Sequence, residues 1–278
     1  MAVVLGLLTA VFFGSGDFAG GLATKRTSVL NVVGFSHLVG LAGTLLLLPI
    51  FASEFSVEAL TIGALAGGLG GIGVALLYRG LARGPMSVIA PLTAITSAAV
   101  PTTWGVLGGE SLSPAGWAGV LLALIAIGLV SSPAESDSEP VTARAVGEAL
   151  IAGACFGAMF IAFDAAPEDG APWPVVGARL LTTTSLLGFM LLVRRDQIGS
   201  AVTAKLPILL AGLLDTGSNL LFLIATQLGD LSIVAVLSSL YPAFTVLLAR
   251  VLLDERISRA QLGGLATALV ATTLIAIA

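Results

Sequence analysis

The chain has 278 residues, of which 57% are hydrophobic and 10% charged, and its formal net charge is −4. A water-soluble domain carries about 25% charged residues, so this composition excludes an ordinary soluble protein and predicts the lipid bilayer as a partner. The sequence contains no phosphate-binding loop, dinucleotide fingerprint or zinc-protease motif, and its net negative charge offers no footprint for nucleic acid. We therefore expect no cofactor, no metal and no nucleic-acid partner.

Apolar runs of helical length follow one another along the chain, separated by charged or turn-forming residues. About 20 apolar residues span the ~30 Å hydrocarbon core as a helix, so we predict an all-α membrane protein with ten transmembrane helices. The first run lacks the basic start and the cleavage site of a signal peptide, and we interpret it as a membrane helix. The predicted helices cover residues 2–21, 28–50, 59–81, 85–107, 113–132, 145–164, 171–193, 205–228, 231–252 and 258–277.

The two halves of the chain repeat each other. The segment from Pro85 aligns without a gap with the segment from Asp230, so that Glu110 meets Glu255. Each half has five helices, an odd number, so the second half enters the membrane from the opposite side, which predicts an inverted repeat. The polar stretch SSPAESDSEP indicates a flexible connection between the halves. The predicted domains are a first five-helix repeat at 1–132, a linker at 133–144 and a second five-helix repeat at 145–278.

Three short motifs occur in a characteristic order: FFGSGD in the first helix, ESLS before the fifth and ERIS before the tenth. With the small-residue third helix and the repeat, they resemble the drug/metabolite transporter superfamily, of the EamA type, over almost the whole chain. The resemblance implies a secondary transporter that moves a small metabolite or drug, such as an amino acid or nucleoside, often outward and often coupled to protons. Monomer and homodimer both stay open.

Basic residues concentrate in the loops that follow odd-numbered helices. Cytoplasmic loops of membrane proteins carry such an excess of Lys and Arg. The pattern predicts a multi-pass protein of the cell membrane, with the odd-numbered loops and the linker in the cytoplasm and both termini outside. Most members of the superfamily have cytoplasmic termini, so this orientation departs from what the resemblance implies.

Three polar residues of the second half are predicted to lie inside the bilayer, where an ionisable side chain is a candidate for function. Arg179 can bind a carboxylate or phosphate of a substrate, or it can form an internal ion pair or cap a helix end. Asp215, near the middle of the eighth helix, can bind a cation or a proton, or it can pair with Arg179. Asn219 follows one turn later on the same helix face.

His37 and Tyr241 complete the predicted substrate site. His37 occupies the position of Arg179 in the repeat, and it can carry a proton or pack as a hydrogen-bonded residue. Tyr241, which precedes Pro242, is expected at a break in the ninth helix. Cys155, the single cysteine, is interpreted as a packing residue. We expect the helix pairs 1/6, 2/7, 3/8 and 4/9 to line one central cavity, with helices 5 and 10 at its rim.

An intramembrane aspartyl protease that uses Asp17 and Asp215 is the alternative. GSGD at 14–17 and LLDTGSN at 213–219 resemble aspartyl-protease motifs, and that chemistry needs two carboxylates about 3 Å apart. However, Asp17 is expected at the cytoplasmic interface and Asp215 at the midplane. This difference in depth argues against a shared site, so we favour a transporter over an enzyme.

Overall fold

A computed structural model shows a helical protein, and its described residues contain no β-strand. In a bilayer the backbone N–H and C=O groups have no water to bond, so an apolar run satisfies them within its own helix. The structure describes residues 1–51, 54–81, 86–130, 142–167, 170–194, 199–253 and 258–277. Most of the predicted linker, residues 133–141, lies outside them.

The helices of the described chain follow the predicted runs closely, except that the ninth run forms two helices. Short 3₁₀ helices at Leu48–Ile50 and Gly199–Ala204 lie next to α2 and α8. The α-helices are α1 (Ala2–Thr24), α2 (Val29–Leu47), α3 (Val57–Leu81), α4 (Met86–Leu107), α5 (Pro114–Val130), α6 (Ala143–Asp164), α7 (Trp173–Val193), α8 (Lys205–Thr226), α9 (Leu231–Ser238), α10 (Tyr241–Leu253) and α11 (Arg259–Ala276).

Seven segments of the described chain are long and apolar enough to cross a membrane. They comprise α1, α2, α3, α6, α7 and α8, in whole or in large part, together with the α9–α10 segment. Shorter apolar helices cover Leu92–Leu107 and Pro114–Val130. The chain is therefore a multi-pass membrane protein, while the count of ten spans and the inverted arrangement of the halves stay predictions.

Serine and threonine side chains begin several of these helices. Ser28, Thr142 and Ser258 each accept a hydrogen bond from the backbone N–H three residues later, at the starts of α2, α6 and α11. Ser113 does the same at the start of α5. The serine that ends both ESLS and ERIS is thus a helix cap, which satisfies an N–H that the helix itself leaves without a partner.

Helices of one half pack mainly against helices of the other half. Helix α1 packs on α8 and α10, α2 on α7 and α8, α3 on α6 and α7, α4 on α6 and α9, and α5 on α11. Small residues permit the closest approaches, as is common between membrane helices. Gly63 lies against the backbone of Pro174, and Gly177 lies against the backbone of Leu60, so that neither glycine has room for a Cβ atom.

The ninth segment breaks in its middle, as predicted. Helix α9 ends at Ser238 and α10 begins at Tyr241, with Pro242 as its second residue. Proline has no backbone N–H, so it cannot donate to the Ser238 carbonyl four residues earlier. In the described part of the fourth segment, by contrast, α4 runs without a break.

Candidate functional site

A cavity of about 170 Å³ lies between the two halves. Its walls come from α1, α2, α3 and α4 of the first half and from α6, α7, α8 and α10 of the second, and no described residue of α5 or α11 lines it. The residues predicted for substrate binding all lie on its wall, although their role in binding stays a prediction. They are Arg179, Asp215, His37, Asn219 and Tyr241.

Arg179 and Asp215 form an ion pair at the centre of this cavity. Nη2 of Arg179 lies 2.6 Å from Oδ2 of Asp215. The Arg179 side chain is 7% exposed and that of Asp215 is 34% exposed, so the carboxylate keeps a face toward the cavity. Breaking a buried ion pair leaves a costly unpaired charge. The sequence left several roles open for Arg179 and Asp215. The structure shows the ion pair between them.

His37 approaches the same carboxylate from the other half of the chain. Its Nε2 lies 3.9 Å from Oδ2 of Asp215, and its Nδ1 lies 2.8 Å from Oγ1 of Thr182. The Thr182 hydroxyl donates its one proton to the Ala178 carbonyl at 2.8 Å, so it accepts from His37 Nδ1–H. In a neutral ring this leaves Nε2, the nitrogen that faces Asp215, without a proton. We call His37, Arg179 and Asp215 the central cluster.

Asn219 and Tyr241 lie beside the central cluster without bonding to its charged groups in the described structure. Nδ2 of Asn219 donates to the backbone carbonyl of Asp215 at 2.7 Å, so its amide is oriented by its own helix. Tyr241 is the first residue of α10, and its ring meets the ring of Phe13 edge-on at 6.4 Å. The helix break therefore presents an aromatic side chain to the cavity.

The expected position of Asp17 within about one turn of the end of the first helix is wrong. Asp17 lines the same cavity as Asp215, and a Cβ atom on Gly16 would lie 3.3 Å from the Asp215 backbone N. Helix α1 extends to Thr24 rather than to residue 21, which places Asp17 about two turns from its end. Phe13, one turn earlier, lines the cavity as well, and this i, i+4 spacing is the signal that identifies both residues.

The two aspartates share a cavity, but the Asp215 carboxylate is paired with Arg179. An aspartyl protease needs two carboxylates that share one proton, whereas the Asp215 carboxylate is engaged by Arg179. No hydrogen bond joins Asp17 to Asp215 in the described structure, and the described residues contain no group of three or more possible metal ligands. The protease alternative is not supported.

Apolar helices long enough to cross a bilayer, packed around an internal cavity with charged residues on its wall, define a multi-pass membrane protein with an internal polar cavity. Residues 144–277 match the model of the EamA-like transporter family. This match of the second half supports the resemblance to the drug/metabolite transporter superfamily that the motifs indicated. The members of the matched family are membrane transporters of small substrates.

Two further comparisons concern a relative and a solved structure. The uncharacterized protein MJ1333.1 of Methanocaldococcus jannaschii is 29% identical over 135 residues, which make up 47% of this chain and 96% of that protein. A crystal structure described only as that of a protein has 19% sequence identity and a TM-score of 0.79, over 99% of this chain and 96% of the other. At that identity, the likeness concerns the fold alone.

Proposed function

We propose that the chain is a secondary transporter that moves a small metabolite or drug, such as an amino acid or nucleoside, by alternating access around the central cavity. The central cluster carries this proposal. His37 of one half and Arg179 of the other lie near the same Asp215 carboxylate, on helices that pack across the interface between the halves. A relative movement of the halves changes the distance between His37 and Asp215, so the cluster responds to the access state.

A ligand can shift the balance between two access states only if it interacts differently with each of them. The Asp215 carboxylate provides such a difference, because its distance to His37 of the other half changes with the access state, and a buried charge that is less well compensated costs free energy. A substrate or proton that binds beside Asp215 compensates the negative charge of its carboxylate. This stabilises one access state more than the other.

Outward transport and proton coupling form the finer part of this proposal. They rest on the superfamily resemblance and on the titratable ring of His37 beside Asp215. Proteoliposome uptake of a panel of labelled amino acids and nucleosides, with and without an imposed pH gradient, tests both. Coupling predicts that the gradient drives transport in the wild type and not in the Asp215→Asn, His37→Gln double variant. Transport by that variant that still follows the gradient would refute coupling through these residues.

Alternating access itself is tested by thiol labelling from each side of the membrane. In a Cys155→Ala background, Val74→Cys places a thiol on the cavity wall, and Leu121→Cys provides a control on the exposed face of α5. A membrane-impermeant thiol reagent should reach Val74→Cys from both sides and leave Leu121→Cys unlabelled. Labelling of Val74→Cys from one side only, under all conditions, would contradict alternating access.

A further inference from the structure

The ionisable residues that line the cavity do not balance in charge. The positive charge of Arg179 and the negative charge of Asp215 cancel in their 2.6 Å pair. A histidine with ordinary titration is largely neutral at pH 7, and a tyrosine is neutral there, which accounts for His37 and Tyr241. Asp17 is left as a second carboxylate on the cavity wall, with no cation beside it among the described residues.

Asp17 differs from Asp215 in that no ion-pair partner lies beside it in the described chain. Its side chain is exposed within the cavity, and in the described chain it takes part in no hydrogen bond or ion pair. The neighbouring basic residues, Lys25 and Arg26, follow α1 about two turns further on. A carboxylate in an apolar surrounding gains most from a cation that pairs with it directly. The cavity therefore favours a ligand that brings one positive charge.

Aromatic rings adjoin this carboxylate. Phe13 lies one turn before Asp17 on the same face of α1. Its ring contacts the ring of Phe160 at 6.2 Å and that of Tyr241 at 6.4 Å between centroids. Aromatic faces attract cations within about 6 Å, and they also provide an apolar surface. The arrangement fits a ligand with a cationic end and an apolar body.

We propose that the cavity binds a small organic monocation, an amine whose ammonium group pairs with Asp17 while its apolar body lies along Phe13, Phe160 and Tyr241. This inference rests on the proposed function, because it names the substrate class of the same cavity. An anionic ligand meets the unpaired Asp17 carboxylate, and it finds Arg179 already engaged by Asp215. Charge thus selects amines over carboxylates of the same shape.

Three probes of similar shape and different charge test this selection: phenethylamine, 2-phenylethanol and phenylacetate. Binding to the detergent-purified full chain at about pH 7 is measured by calorimetry or by thermal stabilisation, which ligand binding to the native state produces. We expect phenethylamine to bind at least about tenfold more tightly than 2-phenylethanol, as hydrogen bonds to charged groups typically provide. Phenylacetate should bind more weakly than either.

Two variants assign the preference to Asp17. Asp17→Asn keeps the size of the side chain and removes its charge, so the amine and the alcohol should bind alike. Asp17→Glu keeps the charge and should keep the preference for the amine, which separates loss of charge from loss of folding. Equal binding of amine and alcohol to the wild type, or a preference that persists in Asp17→Asn, would overturn the inference.

This binding test and the labelling test fail independently. Calorimetry in detergent requires no transport, whereas labelling of Val74→Cys requires no knowledge of the ligand. If the amine binds through Asp17 but Val74→Cys is labelled from one side only, alternating access is wrong and the ligand class stands. If labelling alternates and the amine shows no preference, the ligand class alone is wrong.

Discussion

Two carboxylates, Asp215 and Glu110, lie at the interface between the halves of this protein, and they differ in what surrounds them. In the central cluster, Asp215 pairs with Arg179 beside an open cavity. Near the start of α9, Glu110 of the first half accepts hydrogen bonds from the backbone N–H groups of Leu231 at 2.8 Å and Ser232 at 3.1 Å. The Asp215 carboxylate faces charged side chains, whereas the Glu110 carboxylate faces backbone donors of a helix N-terminus. Of the two, only Asp215 is therefore placed to interact with a ligand.

The surroundings of Glu110 explain why it acts as a helix cap. A helix N-terminus presents free N–H groups and a partial positive charge that favour a carboxylate. A side chain on Gly105 would collide with the Glu110 carboxylate and the Ser232 hydroxyl, and that hydroxyl donates to the Thr102 carbonyl at 3.1 Å. The Glu110 contact is therefore a tightly packed helix cap away from the cavity wall, in contrast to the central cluster. We call this contact the Glu110 joint.

The largest effect is expected when one partner of the central ion pair is removed. Arg179→Met leaves Asp215 without its cation and should lower the free energy of unfolding by about 3 kcal/mol. Adding Asp215→Leu removes the unpaired charge and should restore most of that loss. Chemical unfolding in mixed micelles measures both variants. A double variant as unstable as the sum of its two single variants would mean that the charges are not coupled.

Loss of the Glu110 cap should lower the free energy of unfolding by less than loss of the central ion pair does. Glu110→Ala leaves two uncharged N–H groups rather than a buried charge, so we expect a loss of about 2 kcal/mol in the free energy of unfolding. Glu54→Ala, at an exposed acidic residue outside the helices, is the control and should change stability by less than about 0.5 kcal/mol. Because Glu110 does not line the cavity, its variant should bind phenethylamine as the wild type does. Altered binding of phenethylamine by Glu110→Ala would contradict the assignment of Glu110 to a purely structural contact.

Close packing of α3 on α7 offers a contact between the halves that involves no charge. A Cβ atom on Gly67 would lie 2.6 Å from the backbone of Ala178, whereas one on Gly68 would meet only a side-chain atom of Leu181 at 3.5 Å. Gly67→Ala should destabilise by about 1 kcal/mol, because overpacking outweighs the helix propensity of alanine. Gly68→Ala should be neutral or stabilising. Equal effects of the two variants in thermal denaturation would show that the crossing is not tightly packed.

The smallest expected effect concerns Asp230, the exposed residue before α9. Partial burial, and then the nearby Glu110 carboxylate, raise the pKa of Asp230 above its ordinary value. The native protein thus binds this proton more tightly than the unfolded chain does, so the contribution to stability is present below about pH 3.9 and is lost as pH rises through the raised pKa. Since Asp230 is exposed, the change should stay below about 0.5 kcal/mol.

Asp230→Asn is uncharged at every pH and therefore tests this assignment. The variant should show a smaller loss of thermal stability than the wild type when pH rises from about 4 to about 7. Asparagine is also a favourable residue before a helix, so the substitution should otherwise change the stability of the protein only slightly. An unchanged or steeper pH dependence in Asp230→Asn would show that the Glu110 joint is not sensitive to this neighbouring charge.

Local features of the sequence predicted the helices and their starts. The observed bounds lie within about three residues of the predicted ones, and Tyr241 lies at the predicted break. The error concerned Asp17, whose distance from the end of α1 depends on where that helix ends. A helix end three residues later adds about 4.5 Å to that distance.

The sequence by itself determined that the chain forms membrane helices and which polar residues they carry, because a bilayer requires each apolar segment to satisfy its backbone internally. Only the tertiary structure decided that Arg179 pairs with Asp215 and that no described cation lies beside Asp17. Charge pairing depends on separations of a few ångströms between side chains on different helices. The rotation and contact of those helices are decided by packing between the two halves rather than by any local pattern of residues.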